Sequence, residues 1–129
     1  NAEQYVIPGF YGALPGGEIK LFSRNASDFS AAVVAACARV DVLEKWTDES
    51  GIRRADPRIV PDAEFIDELT FREIRELTTR GTKILHPDAI LPLREAGITI
   101  HIKNVDRPGD AGTRIVPNEK ASPKPPGTV

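Results

Sequence analysis

The sequence has no methionine and a single cysteine, Cys37, in 129 residues. One thiol excludes an internal disulfide, and with it the stapled frameworks of small secreted domains. Cys37 stands in a small-apolar run, where a buried and inert thiol is expected. No apolar run approaches the roughly 20 residues of a spanning helix, and no stretch reads as a secretory leader. Charge of one sign is lacking too. Seventeen basic against 19 acidic residues leave a net charge of −2, which gives no footprint for nucleic acid or an anionic membrane. A cytoplasmic protein that binds neither is expected.

What is present is ordinary globular material. Apolar residues make up 40% and charged residues 28%, enough for one domain with its own core. The ends read differently. Without an initiator methionine, residues 1–4, beginning Asn1-Ala2, read as a tag scar and lead-in. Residues 117–129 are rich in Pro, Lys and Ser and read as a linker. The chain is therefore expected to be a piece of a longer protein.

Between the ends, "YVIPGFYGA" and "EIKLF" flank the turn "LPGG" and predict a β-hairpin over residues 5–22. A helix is expected from Asp28 to about Arg39, with Ser27 as N-cap, then a strand from Val40 to Trp46. In that strand Trp46 is assigned to the core. "ESGIRRADPRIVPDA" reads as an irregular excursion. "TFRE" is a capping box, with Thr70 as N-cap and Glu73 at N3, opening a helix that Gly81 ends. Pro87 starts another, running to about Ala96. Strands follow over Ile98–Asn104 and at "TRIV". Helices alternating with strands predict an α/β fold with a parallel or mixed sheet. In such folds ligands sit beyond the carboxyl ends of the strands. Those ends carry Thr47, Asp48 and Asn104. The helix start at Ser27 and Asp28 is expected at the same edge, where free amides favour an anion.

The segments "VIPGFYGALPGGEIKLFSR", "EKWTD", "ADPRIVPDA", "GTKILHPDAI", "REAGI" and "GTRIV" resemble, in order over about residues 5–116, the C-terminal half of the aspartate kinase catalytic domain. The resemblance implies a partial three-layer αβα sandwich of the amino-acid kinase, carbamate kinase-like fold, with a mixed, mostly parallel sheet and an N-terminal hairpin. It implies ATP and Mg2+ as cofactors, L-aspartate as substrate, and a homo-oligomer. It also implies an N-terminal lobe and regulatory ACT domains elsewhere in the parent, the tail leading toward the latter. Alone, the piece is expected to be inactive. Two other readings are a nucleotide-binding or dimerisation module, and a sibling kinase acting on another carboxylate or carbamate.

By the same resemblance Arg24, Ser27 and Asp28 belong to the substrate site. A guanidinium offers a planar fork to a carboxylate. Asp28, the catalytic candidate, could bind the substrate ammonium or organise an active-site lysine; an acid in the first turn of a helix is also favoured by the dipole alone. Ser27 could donate to substrate, cap its helix, or both. Asn25-Ala26 replaces two glycines of the family pattern, and alanine tolerates a left-handed backbone poorly. Thr47, Asp48, Arg53, Arg58 and Lys83 fall to the nucleotide. Arg53 could stack on the base or point to solvent. Arg58 and Lys83 supply positive charge for the phosphates. His86 is read as structural, His101 has no role, and no residue is assigned as a metal ligand.

Overall fold

A computed structural model describes residues 3–22, 26–80 and 84–123. The expected hairpin forms from β1 (Tyr11–Ala13) and β2 (Ile19–Leu21), paired antiparallel. Helix α1 (Ser27–Ala38) follows, then β3 (Val42–Thr47). The excursion is not wholly irregular: β4 (Ile52–Arg53) and β5 (Phe65–Ile66) close it as a short antiparallel ladder. A further strand that the periodicity did not reveal, β6 (Glu68–Thr70), leads into α2 (Phe71–Thr79). A 3-10 turn at Pro87–Ala89 runs into α3 (Ile90–Ala96), and β7 (Thr99–Asn104) and β8 (Thr113–Val116) complete the sheet.

The main sheet has the order β3-β7-β8-β6, with β3 and β6 at its edges. The β3–β7 and β6–β8 pairs are parallel and β7–β8 is antiparallel, so the sheet is mixed and mostly parallel. Leu43 pairs with Ile100, Ile100 with Ile115, and Ile115 with Leu69. These side chains share the face on which α1, α2 and α3 lay Ala32, Ala35, Ile74, Ile90 and Leu93. The chain thus supplies the sheet and one helical layer of the expected sandwich.

Local chemistry explains the boundaries. The Thr70 hydroxyl accepts from the Glu73 amide at 3.2 Å, and the Glu73 carboxylate accepts from the Thr70 amide at 3.2 Å, the predicted capping box. It sets Phe71 and Ile74 into the core, where each is at most 1% exposed and contributes about 1.5–3 kcal/mol of transfer free energy. Gly97 ends α3 at φ +68°, the left-handed cap that glycine adopts without strain. Gly81, the expected end of α2, lies outside the described residues.

Three expectations are corrected. Helix α1 begins at Ser27 itself, behind Ala26, and no side chain caps it. Cys37 is exposed: α1 buries the stripe of Ala32 and Ala35, and position 37 falls on the opposite side at 100° per residue. Trp46 is 44% exposed, because the pleat puts it on the outer face with Val42 and Glu44. Its indole N–H donates to Glu44 at 3.1 Å, and the Lys103 ammonium lies 5.1 Å from its ring centre.

Candidate functional site

Strand β3 alternates, so Leu43, Lys45 and Thr47 all point to the core face. Lys45 sits beside Ile102 of β7, a position that apolar side chains fill elsewhere in the sheet. A lysine there requires a partner. Its ammonium donates to Asp28 Oδ2 at 2.8 Å and to the carbonyl of Ile84. The same Asp28 oxygen accepts from the His86 backbone N–H at 3.0 Å. One carboxylate in the first turn of α1 therefore ties together the middle of β3 and the segment entering the 3-10 turn. The His86 ring, as expected, is structural: Nδ1 accepts from the Asp88 amide at 3.2 Å.

The carboxyl ends of β3 and β7 meet at Thr47 and Asn104. Thr47 donates from its hydroxyl to Asp48 at 3.2 Å. The buried Asn104 amide donates to the Asp48 carbonyl at 3.3 Å and to the Ser50 hydroxyl at 3.0 Å, while its oxygen accepts from the Asp106 N–H at 2.9 Å. Ser50 in turn donates to Asp110 at 2.7 Å. Asn104 thereby holds the main chain under the Thr47-Asp48 pair.

The excursion after β3 folds back over this edge. The Arg53 guanidinium stacks 4.2 Å from the Phe65 ring centre and donates to the Ala63 carbonyl at 2.8 Å. Phe65 thus covers one face of the guanidinium plane. Arg58 forms a fork with Asp56, at 2.7 Å between Nη2 and Oδ2 and 3.1 Å between Nε and Oδ1. The fork holds the Asp56 carboxyl below its ordinary range and Arg58 above its own.

These parts enclose a cleft of about 660 Å3, lined by the ends of β3 and β4, the turn to Arg58, and Leu77, Arg80 and Ile84 opposite. Among the described residues five cationic side chains line it, Lys45, Arg53, Arg54, Arg58 and Arg80, against three carboxylates, Asp48, Glu49 and Asp56. Such a surplus of positive charge in a concave site suits a polyanion.

The fold brings Thr47, Asp48, Arg53 and Arg58 to one cleft, and Asp28 to its edge through Lys45. Ser27 is exposed and lines a different groove, with Val34 and Val42. Arg24 and Lys83 lie outside the described residues. Lys45 and Arg80 join the cleft without having been expected there as site residues, and Asn104, expected at the strand ends, supports it from below. The signal for Lys45 was available: a lysine two residues from Leu43 in an alternating strand faces inward.

The amino acid kinase family model matches residues 2–104. The chain is 42% identical over 116 residues to the bifunctional aspartokinase/homoserine dehydrogenase of Haemophilus influenzae, covering 90% of this chain and 14% of that protein. Among solved structures it is similar to aspartate kinase from Clostridium acetobutylicum, with a TM-score of 0.85 and 41% identity over 94% of this chain and 28% of that one. It is also similar to aspartokinase III of E. coli in complex with aspartate and ADP, with a TM-score of 0.78 and 35% identity over 84% of this chain and 24% of that one. The chain spans between about a seventh and somewhat over a quarter of the length of these relatives. On the match over residues 2–104 and the mixed α/β sheet that carries it, the chain belongs to the amino acid kinase family.

Proposed function

We propose that the chain is the nucleotide-binding half of the catalytic domain of an aspartate kinase. The parent would transfer the γ-phosphoryl group of ATP to the side-chain carboxylate of L-aspartate, giving 4-phospho-L-aspartate and ADP, the first step toward lysine, threonine and methionine. The observation that carries this reading is the cation-lined cleft at the strand ends, adjoining the Asp28–Lys45 pair. The similarity to an aspartokinase structure holding aspartate and ADP supports it.

Phosphoryl transfer asks a protein mainly to position reactants and to neutralise charge spreading over the transferred group. Thr47 and Asp48 offer a hydroxyl and a carboxylate to the ribose or base. Arg53, already stacked on Phe65, offers its guanidinium plane. Arg58 supplies positive charge for the phosphates, and the family resemblance assigns Lys83 to the same task. Mg2+ would be carried mostly by phosphate oxygens and water, with Asp48 or Glu49, the carboxylates of the cleft that Arg58 does not engage, completing its shell. The acceptor carboxylate is already ionised at neutral pH, so no general base is needed. Asp28 then acts by holding cations, and Arg24 and Ser27 take the anionic ends of the substrate. A cytoplasmic homo-oligomer completed by an N-terminal lobe and ACT domains fits the reading.

The test is acyl phosphate formation by the full-length protein with ATP and aspartate, trapped by hydroxylamine. Arg24→Ala should weaken aspartate use by about 1.5–3 kcal/mol, roughly one to two decades. Arg58→Ala or Lys83→Ala should act on the ATP dependence instead. No acyl phosphate from aspartate in the wild type, with product from another carboxylate, would make the protein a sibling kinase.

A further inference from the structure

Among the described residues, Lys45 is the cation of the cleft that stands on the core face of the sheet. Its side chain is 22% exposed and that of Asp28 19%. An ammonium carries three N–H groups. Among the described residues two are engaged, by Asp28 Oδ2 and by the Ile84 carbonyl. Both acceptors come from outside β3, so the ammonium is held from two sides rather than left at the end of a free stem. It nevertheless lines the same cleft as Thr47, Asp48 and Arg58. Two neighbouring cations are engaged elsewhere: Arg58, 89% exposed, forks onto Asp56, and Arg53 is stacked on Phe65.

We propose that Lys45 contacts the phosphoryl group being transferred, giving its third N–H to a non-bridging phosphate oxygen, while Asp28 and the Ile84 carbonyl fix the ammonium. The inference rests on the aspartate kinase reading and names a further residue of that site. In the step, the bond between the γ-phosphorus and its bridging oxygen breaks, and the electron pair leaves with ADP. A bond from an acceptor carboxylate oxygen to phosphorus forms. The ammonium keeps all its protons and serves only to neutralise charge on the passing group. Asp28 is then a positioning residue. Its carboxylate holds the lysine and, through the His86 amide, the segment that enters the 3-10 turn.

The experiment uses the full-length protein and two variants, Lys45→Met and Lys45→Arg, with three readouts. These are kcat for acyl phosphate formation, affinity for ADP, and affinity for the non-hydrolysable imido analogue of ATP. Removal of one preorganised donor costs about 10²–10³ in kcat, so Lys45→Met should lose about a hundredfold in kcat. It should weaken the imido analogue about tenfold and leave ADP within about threefold. Lys45→Arg keeps the charge and the ion pair but replaces a compact point charge by a planar fork. It should bind ADP as the wild type does and lose about tenfold in kcat. A purely architectural ion pair predicts the opposite pattern, with ADP and analogue affinities falling together in Lys45→Met, and wild-type kcat in Lys45→Arg. Either result overturns the proposal. If Lys45→Met does not fold, Lys45→Arg decides alone. The comparison of ADP with the imido analogue needs no acceptor, so it stands even if the wild type phosphorylates a carboxylate other than aspartate.

Discussion

Gly51 lies against Thr113 so closely that a Cβ on the glycine would stand 2.4 Å from the threonine hydroxyl and 3.2 Å from its amide. The backbone there is at φ +144°, a conformation L side chains rarely adopt. The hydroxyl is fully buried, accepts from the Ile52 N–H at 2.9 Å, and donates to the Ile66 carbonyl at 2.6 Å. One side chain of β8 thus fastens β4 and β5, and the excursion that roofs the cleft is anchored at this point.

Gly51→Ala should therefore destabilise the protein by about 1–3 kcal/mol, the usual range for forcing an extra methyl into a packed place. Thr113→Val, which leaves a buried N–H and carbonyl unpaired, should cost a similar amount, about 1–3 kcal/mol. Thr113→Ser should be milder, since it keeps the hydroxyl. Urea unfolding of the full-length protein reads all three; a neutral Gly51→Ala would show that the close approach relaxes freely.

The capping box at α2 carries a second expectation. Thr70→Ala should cost about 0.5–2 kcal/mol, while Thr70→Ser, which restores the acceptor, should recover most of it. The midpoint of thermal unfolding checks the pair. Equal loss in both variants would shift the weight from the hydroxyl to the threonine methyl.

Asn104 joins stability to the cleft. Replacing it by Leu removes the donor that holds the Asp48 carbonyl and Ser50. The Michaelis constant for ATP should rise several-fold while aspartate dependence stays near the wild-type value. Steady-state kinetics on both substrates separate the two, and an unchanged ATP dependence would detach Asn104 from the nucleotide site.

The Asp56–Arg58 fork predicts a pH effect of definite sign. The Arg58 side-chain hydrogen bonds, then its backbone N–H, hold the Asp56 carboxyl below its ordinary 3.8. A carboxyl depressed in the folded state contributes stability that is fully present above its unfolded value and is lost as pH falls through the lowered one. The turn before the cleft should accordingly loosen only below about pH 3.8. The contribution of so exposed a pair to global stability is small. A carbon-13 titration of the Asp56 carboxyl should show its midpoint moving up toward 3.8 in Arg58→Gln. A midpoint that ignores the substitution would break the link between the two residues.

Much of the architecture is readable from the chain alone. Thr70 and Glu73 are three apart ahead of an apolar run, so the capping box and the start of α2 follow from spacing. Gly97 behind a helical run, and the alternation of "ITIHIKN", place the end of α3 and most of β7. The same alternation runs through "VLEKWT", yet the usual burial of tryptophan argues for an inward Trp46 and misleads. The pleat allows only one of Lys45 and Trp46 to face the core, and it is the lysine. Strands β4, β5 and β6 are two or three residues long, too short for any period to show, and only their pairing partners define them.

The sequence of the chain was sufficient for the class of fold, the capped helix α2, the strand ends at Thr47 and Asn104, and the motifs that belong to the family. Those follow from interactions between residues close in the chain, or from patterns a short window carries. It was not sufficient for the partnerships on which the site depends. Asp28 and Lys45 are 17 residues apart, Asp28 and His86 58, and Thr113 and Ile52 61. Nothing in a local window relates such residues. They meet because β3 pairs with β7 in one register, because α1 packs beside the turn at Pro87, and because an inward-facing lysine in a largely apolar layer has to find a carboxylate.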